Sequence, residues 1–112
     1  MTYSEIIPGN CAIANFLGAA GPDLYWLPQL KDDYIKNEQF TPSELRFHTD
    51  WNWLMLAIER IDMIITTNCK INYRSCSIIS LDDDVNILEF GDTKIQAVWK
   101  AVVNFIKWYN AN

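Results

Sequence analysis

Hydrophobic residues recur at helical spacing in two long stretches of the chain, residues 50–65 and 93–109. In each stretch, apolar side chains at i, i+3, i+4 and i+7 share one side of a helix, and polar side chains occupy the other. The two central stripes comprise Trp51, Leu54, Met55, Ile58, Ile61 and Ile65, and then Ile95, Val98, Trp99, Val102, Ile106 and Tyr109. The pattern predicts two long amphipathic helices, the first N-capped by Thr49 and the second started by a capping box at Thr93–Gln96.

Between these helices the apolar positions alternate instead, which is typical of β-strands. The segment Cys69–Tyr73 alternates most cleanly, and it predicts a strand with Cys69, Ile71 and Tyr73 facing inward. Two more strands are predicted over residues 76–81 and 86–90. The order of elements predicts an α+β fold in which two long helices pack on a three-stranded antiparallel sheet.

The N-terminal part is less regular. Residues 10–18 predict a short helix, N-capped by Asn10 and ended by Gly18. Residues 19–48 are interrupted by several prolines and predict an irregular segment, except that Thr41–Glu44 has the form of a capping box and predicts a single helical turn. A chain of 112 residues is expected to form one domain, residues 1–112.

Some apolar side chains fall outside the predicted stripes. Leu56 and Met63 lie on the polar side of the helix over 50–65, and Trp108 lies on a flank of the last helix beside Ala97 and Ala101. Residues 1–47 would cover these positions in one interpretation. In the other they form a surface that binds a protein or a second copy of the chain. Aromatic residues are enriched at interface hot spots, so the candidate interface also includes Tyr25, Trp26 and Trp53.

Charge and composition exclude several classes of function. The net charge of −5 argues against non-specific nucleic-acid binding, which requires lysine and arginine at phosphates. The helix–strand–strand–strand–helix order also occurs in double-stranded RNA-binding domains, but here the last loop of the sheet carries Asp82–Asp84. The N-terminus lacks the features of a signal peptide, and no apolar stretch is long enough to span a membrane.

Catalytic and metal-binding motifs are not found in the sequence. Three cysteines without a C-x-x-C pair and a single histidine, His48, cannot form a structural zinc site. The segment Asp82–Asn86 begins like a calcium loop, but Ile87 stands where the loop needs glycine and Thr93 where it needs glutamate. No cofactor is expected, because the sequence contains no glycine-rich phosphate loop.

Two segments resemble small uncharacterised proteins of phages and prophages, especially those of Bacteroidetes. They are Phe47–Met55 with Ile58–Ile61, and Thr93–Asn110, and many such proteins also begin with a segment similar to Ile13–Gly18. The order of elements is similar to that of the phage ABA sandwich domain. The resemblance implies a phage or mobile-element accessory protein in the bacterial cytoplasm, with helices on both faces of the sheet, and it supplies no catalytic residues.

Two hypotheses follow. The first is a non-enzymatic accessory protein that binds a protein partner or itself. The second is a small-ligand-binding protein or enzyme with a pocket between residues 19–48 and the helix over 50–65. Long irregular segments are often functional, and the pocket would be lined by Tyr25, Trp26, His48 and Asp50.

Overall fold

The computed structural model describes residues 1–19, 24–26, 39–64, 67–80 and 85–111. Its elements, in chain order, are α1 (Tyr3–Phe16), β1 (Tyr25–Trp26), β2 (Gln39–Phe40), a 3₁₀ turn (Pro42–Glu44), α2 (Trp51–Ile64), β3 (Thr67–Ile71), β4 (Ser75–Ser80), β5 (Asn86–Phe90) and α3 (Lys94–Ala111). The predicted α+β class is confirmed. The predicted loop Asp82–Asp84 lies outside the described residues.

The first helix is longer than predicted. It begins at Tyr3 rather than after Asn10, because the carbonyl of Thr2 accepts hydrogen bonds from the backbone N–H groups of Glu5 and Ile6. Pro8 lies inside α1, where its missing N–H removes one helical hydrogen bond without ending the helix. The predicted termination is confirmed, since Gly18 adopts the left-handed conformation with φ of 84°.

The second helix has close to its predicted length but a different cap and a rotated apolar face. The Asp50 carboxylate accepts a hydrogen bond from the N–H of Asn52 at 2.9 Å, so Asp50 rather than Thr49 is the N-cap. Trp53 is buried, whereas Trp51 and Met55 are exposed, at the edge of the predicted stripe. At about 100° per residue, the centre of the buried face lies about 60° from the centre of the predicted stripe.

The sheet has the order β3-β4-β5, and both pairs of strands are antiparallel. One face is covered and carries the buried side chains of Cys76, Ile78 and Ser80. Ile71 pairs with Cys76 and so lies on the covered face, as predicted, although it is 37% exposed at the end of β3. The prediction that Tyr73 faces inward is wrong, since Tyr73 is 72% exposed. Tyr73 lies in the turn closed by the hydrogen bond from Asn72 N–H to the Ser75 carbonyl, so the strand ends before it.

Helix α3 makes most of the helix–sheet contact, along β4 and β5, and α1 and α2 pack against α3. Ala97 and Ala101 are fully buried in this arrangement, because small side chains let neighbouring helices approach closely. The other sheet face carries Leu88 and Phe90, whose side chains are largely exposed. The described helices therefore lie on one side of the sheet, unlike the two-sided arrangement that the phage-domain resemblance implies.

Candidate functional site

The residues predicted to form an interface differ in how far the structure buries them. Trp53 and Tyr25 are buried, 5% and 7% exposed, and Trp53 packs edge-on against Phe40. These two residues are core residues in this conformation and cannot contribute to an exposed binding surface. Trp108 is half-buried, with its ring 5.7 Å from that of Phe105. The side chain of Trp26 lies outside the described residues.

The remaining two predicted residues lie on an exposed surface of α2. Met63 is 80% exposed and Leu56 is half-buried. Trp51 and Met55, which periodicity assigned to the core, are 37% and 39% exposed. At about 100° per residue these four side chains span roughly 140° of the helix circumference. We define Trp51, Met55, Leu56 and Met63 as the outer α2 face.

Acidic side chains accompany this apolar surface. Glu59 and Asp62 are exposed, and at helical spacing they fall within the arc of the outer α2 face. The basic residue of the same helix, Arg60, points away from this face. Its guanidinium donates a hydrogen bond to the Phe16 carbonyl at 3.2 Å and lies over the Phe16 ring. The outer α2 face thus combines large apolar side chains with negative charge.

His48 and Asp50, the predicted pocket residues, have structural roles. Asp50 caps α2, as described above. His48 Nδ1 lies 2.9 Å from Asn10 Nδ2, so His48 faces α1 rather than α2. The predicted pocket between residues 19–48 and α2 is thus not formed by His48 and Asp50, and most of residues 20–38 lie outside the described part of the chain.

Asn10 connects three distant parts of the chain. Its Nδ2 donates to the Leu45 carbonyl at 3.1 Å, and its Oδ1 accepts a hydrogen bond from Trp99 Nε1 at 2.9 Å. An indole N–H can only donate, so the amide orientation is fixed, and Nδ2 must also donate to His48 Nδ1. The sequence pattern assigned Asn10 to a helix cap, and no local signal indicated this role.

The Asn10 contact determines the protonation state of His48. Because Nδ1 accepts a hydrogen bond, the neutral ring carries its proton on Nε2. Burial lowers the pKa of His48 below its usual value. Protonation would also place an N–H of the ring against an N–H of the amide. His48 is therefore a neutral structural residue whose Nδ1 is engaged by Asn10.

A cleft of about 250 Å³ lies beside His48, between α1 and the segment that follows the 3₁₀ turn. A larger cleft of about 540 Å³ lies between α1 and α3, on the side of β5. The apolar lining of the larger cleft includes Pro8, Ala12 and Val103, and Lys100 and Lys107 also line it. We call it the α1–α3 cleft.

Gly9 permits close packing between the α1 backbone and the Trp99 ring, both of which line this cleft. A Cβ atom at Gly9 would lie 2.3 Å from Cζ2 of Trp99, so only glycine lets the α1 backbone rest against the indole. The hydrogen bond from Trp99 to Asn10, the next residue, holds the ring in place. The α1 backbone and the Trp99 ring therefore pack in direct contact along one wall of the cleft.

The described residues contain no cluster of three or more potential metal ligands. Of the two described free cysteines, Cys76 is buried and Cys11 is half-buried. A hydrogen bond with the Cys11 side chain, together with burial, raises the pKa of Tyr25, so its hydroxyl stays protonated. Nothing in the described part of the chain combines a nucleophile, a base and an oxyanion site.

No protein-family model, curated protein or solved structure matches this chain. No helix in the described ranges is long and apolar enough to cross a membrane.

Proposed function

We propose that this chain is a non-enzymatic accessory protein that binds another protein through the outer α2 face. The observation that carries the proposal is the exposure of Met63, Met55 and Trp51 on one side of a single helix. Methionine suits adaptable binding surfaces because its side chain is flexible and polarizable. Tryptophan is enriched among the residues that dominate binding energies.

The occupant that fits this surface is an amphipathic helix with a basic rim. Glu59 lies among the apolar side chains, so lysine or arginine beside the partner's apolar stripe would be attracted. Two copies of the face would instead bring their Glu59 carboxylates together, and like charges at an interface oppose association. Charge thus favours a basic partner over a second copy of this chain.

The size of the face limits the expected affinity. From Trp51 to Met63 the helix rises about 18 Å, at 1.5 Å per residue, which matches about three turns of a partner helix. The contact is far smaller than the roughly 800 Å² per partner of a standard interface. We therefore expect a transient complex in the micromolar range. The resemblance to phage proteins supports a role in a phage-infected bacterial cytoplasm.

The test uses two synthetic helical peptides with the same leucine stripe, one flanked by lysine and the other by glutamate. The basic peptide is expected to bind the full chain and to shift the NMR signals of α2. Replacing Met55 and Met63 together by serine is expected to weaken binding about ten-fold, or roughly 1.4 kcal/mol, because it removes two exposed apolar side chains without adding charge. Tyr3→Ser is the matched control, because Tyr3 is 81% exposed on another helix.

Equal binding of both peptides, or equal loss in the Tyr3→Ser control, would refute the role of the face. Sedimentation of the full chain addresses the homodimer. A dimer that dissociates in the Met55→Ser, Met63→Ser variant would replace the basic partner with a second copy.

A further inference from the structure

We propose that the open edge of β5 binds an extended, uncharged peptide segment as a fourth strand of the sheet. In the described part of the chain, β5 is the last strand of the sheet and pairs with β4 alone. An unpaired strand edge is a template for another strand, and strand addition is a recurring mode of peptide recognition. This site is separate from the outer α2 face and goes beyond the function proposed above.

The register of β4 and β5 determines which backbone groups face the open edge. The N–H of Ser80 donates to the carbonyl of Val85, its direct partner, at 2.9 Å. Hydrogen-bonded and non-hydrogen-bonded pairs alternate along an antiparallel ladder, so Val85 and every second residue after it direct their N–H and C=O groups toward β4. The residues between them, Asn86, Leu88 and Phe90, direct theirs to the open edge. An antiparallel segment can form two hydrogen bonds with each of these three residues.

The sequence and geometry of β5 leave this edge accessible to a further strand. Its pairing with β4 runs without a bulge from Asn86 to Phe90, and it contains neither proline nor lysine, which commonly protect edge strands. Its charged residue, Glu89, lies on the helix side of the sheet and accepts a hydrogen bond from Asn104. Leu88 and Phe90 are 55% and 62% exposed on the opposite side, where β-branched residues of an added strand would pack beside them.

The α1–α3 cleft provides room for the other side chains of the added strand. Glu89 lines this cleft from the sheet, and Pro8 and Ala12 line it from α1. Side chains alternate between the two faces of a strand, so the peptide residues opposite Ile87 and Glu89 would point toward the cleft, whose volume is about 540 Å³. Two carboxylates and two ammonium groups line it and balance one another, so uncharged side chains complement it best.

The position of α1 favours a separate peptide segment over a second copy of the chain. If β5 paired with β5 of a second copy, Leu88 of both copies would face the same side of the joined sheet, and so would both helix layers. Helix α3 of the second copy would then lie beyond the edge of β5, on the side where α1 forms a wall of the cleft. An isolated segment adds one strand and no helix.

The test uses an end-blocked peptide of alternating threonine and valine and measures its binding to the full chain by calorimetry and NMR. The N–H groups of Leu88 and Phe90 are expected to gain protection from hydrogen exchange, whereas those of Ile87 and Glu89 already bond to β4 and should change little. A peptide N-methylated at every residue should bind at least ten-fold more weakly. The matched control is N-methylated at every second residue and can still pair through its other edge, so its affinity should stay within about three-fold.

Two substitutions at one position test the edge from the protein side. Leu88→Pro removes an outward N–H and leaves the ladder to β4 intact, so it should weaken binding about ten-fold. Leu88→Ala is the matched control, because it shortens the same side chain and keeps the N–H. If Leu88→Pro does not fold, the two methylated peptides still decide the outcome.

Equal affinities of the two methylated peptides, equal losses in Leu88→Pro and Leu88→Ala, or unchanged protection at Leu88 and Phe90 would overturn the assignment. A dimer of the free chain that dissociates in Leu88→Pro would replace the peptide with a second copy. The Met55→Ser, Met63→Ser variant should bind the peptide normally, and a loss there would assign the peptide to the outer α2 face instead.

Discussion

Replacing Asn10 by leucine tests whether one buried amide joins the N-terminal helix to the rest of the fold. Asn10 is 1% exposed and makes three side-chain contacts: with the Leu45 carbonyl at 3.1 Å, with His48 Nδ1 at 2.9 Å and with Trp99 Nε1 at 2.9 Å. Leucine has the same branched arrangement of side-chain heavy atoms and makes none of these bonds. The indole N–H and the backbone carbonyl would then be buried without partners.

The expected cost follows from those two groups. Each buried group left without a partner costs about 1–3 kcal/mol, so we expect Asn10→Leu to lower the free energy of unfolding by about 2–6 kcal/mol. Domains of this size have roughly 5–15 kcal/mol in total. The contact with His48 adds less, because that ring is only partly buried. The loss is therefore a large fraction of the stability, and it is measurable by urea unfolding monitored by circular dichroism.

A double-mutant cycle identifies the source of the effect. Trp99→Phe removes the indole N–H, so in its presence Asn10→Leu should cost about 1–2 kcal/mol less, within the range of coupling energies between contacting residues. Asn52→Ala is the control, since Asn52 is an exposed asparagine on α2, and it should cost under about 0.5 kcal/mol. A loss from Asn10→Leu that matches this control, or additive effects with Trp99→Phe, would refute the reasoning.

Three further predictions concern His48, Gly9 and Asp50. Burial lowers the pKa of His48 in the folded chain, so the unfolded chain binds the proton more readily and the free energy of unfolding should fall as pH drops below about 6.5. The fall should be less steep in His48→Gln, and equal pH profiles of the two proteins would contradict this. Gly9→Ala brings a Cβ atom within 2.3 Å of the Trp99 ring, so it should destabilise the fold by about 1–3 kcal/mol despite the better helix propensity of alanine. Gly18→Ala is the control: its Cβ atom meets open space, so any loss of stability there comes from the positive φ alone. Asp50→Ala removes the α2 cap and should lower the free energy of unfolding by about 1 kcal/mol, measured by thermal unfolding. An unchanged melting temperature would show that the Asp50 side chain does not stabilise the start of α2.

Local sequence signals predicted several elements well. Strand β5 has its predicted bounds, because an aspartate-rich segment precedes it and Gly91 ends it. Helix α3 starts near its predicted capping box, where Thr93 Oγ1 accepts from the N–H of Gln96 at 3.3 Å. The turn at Pro42–Glu44 also forms as predicted, and the N–H of Thr41 donates to the Glu44 carboxylate, which lowers the pKa of that carboxyl group. In each case the interacting residues lie within a few positions of one another.

The candidate site was predicted less completely than the fold. Met63 and Leu56 were identified from the sequence because they break the helical stripe, and Met63 is indeed exposed. Trp53 and Tyr25 were misassigned because aromatic residues suit both cores and interfaces. The α1–α3 cleft had no sequence signal, since its walls are close to a hundred positions apart in the chain.

The sequence by itself determined the α+β class and the positions of α2, β5 and α3, because periodicity, caps and turn residues act over short distances. Only the tertiary structure decided that α1 begins at Tyr3, that α2 turns Trp53 inward and Trp51 outward, and that Asn10 lies buried inside a helix. Asn10 shows why these features could not be predicted from local patterns. Its partners, Leu45, His48 and Trp99, are 35, 38 and 89 positions away in the sequence, so the contacts exist only once the chain has folded.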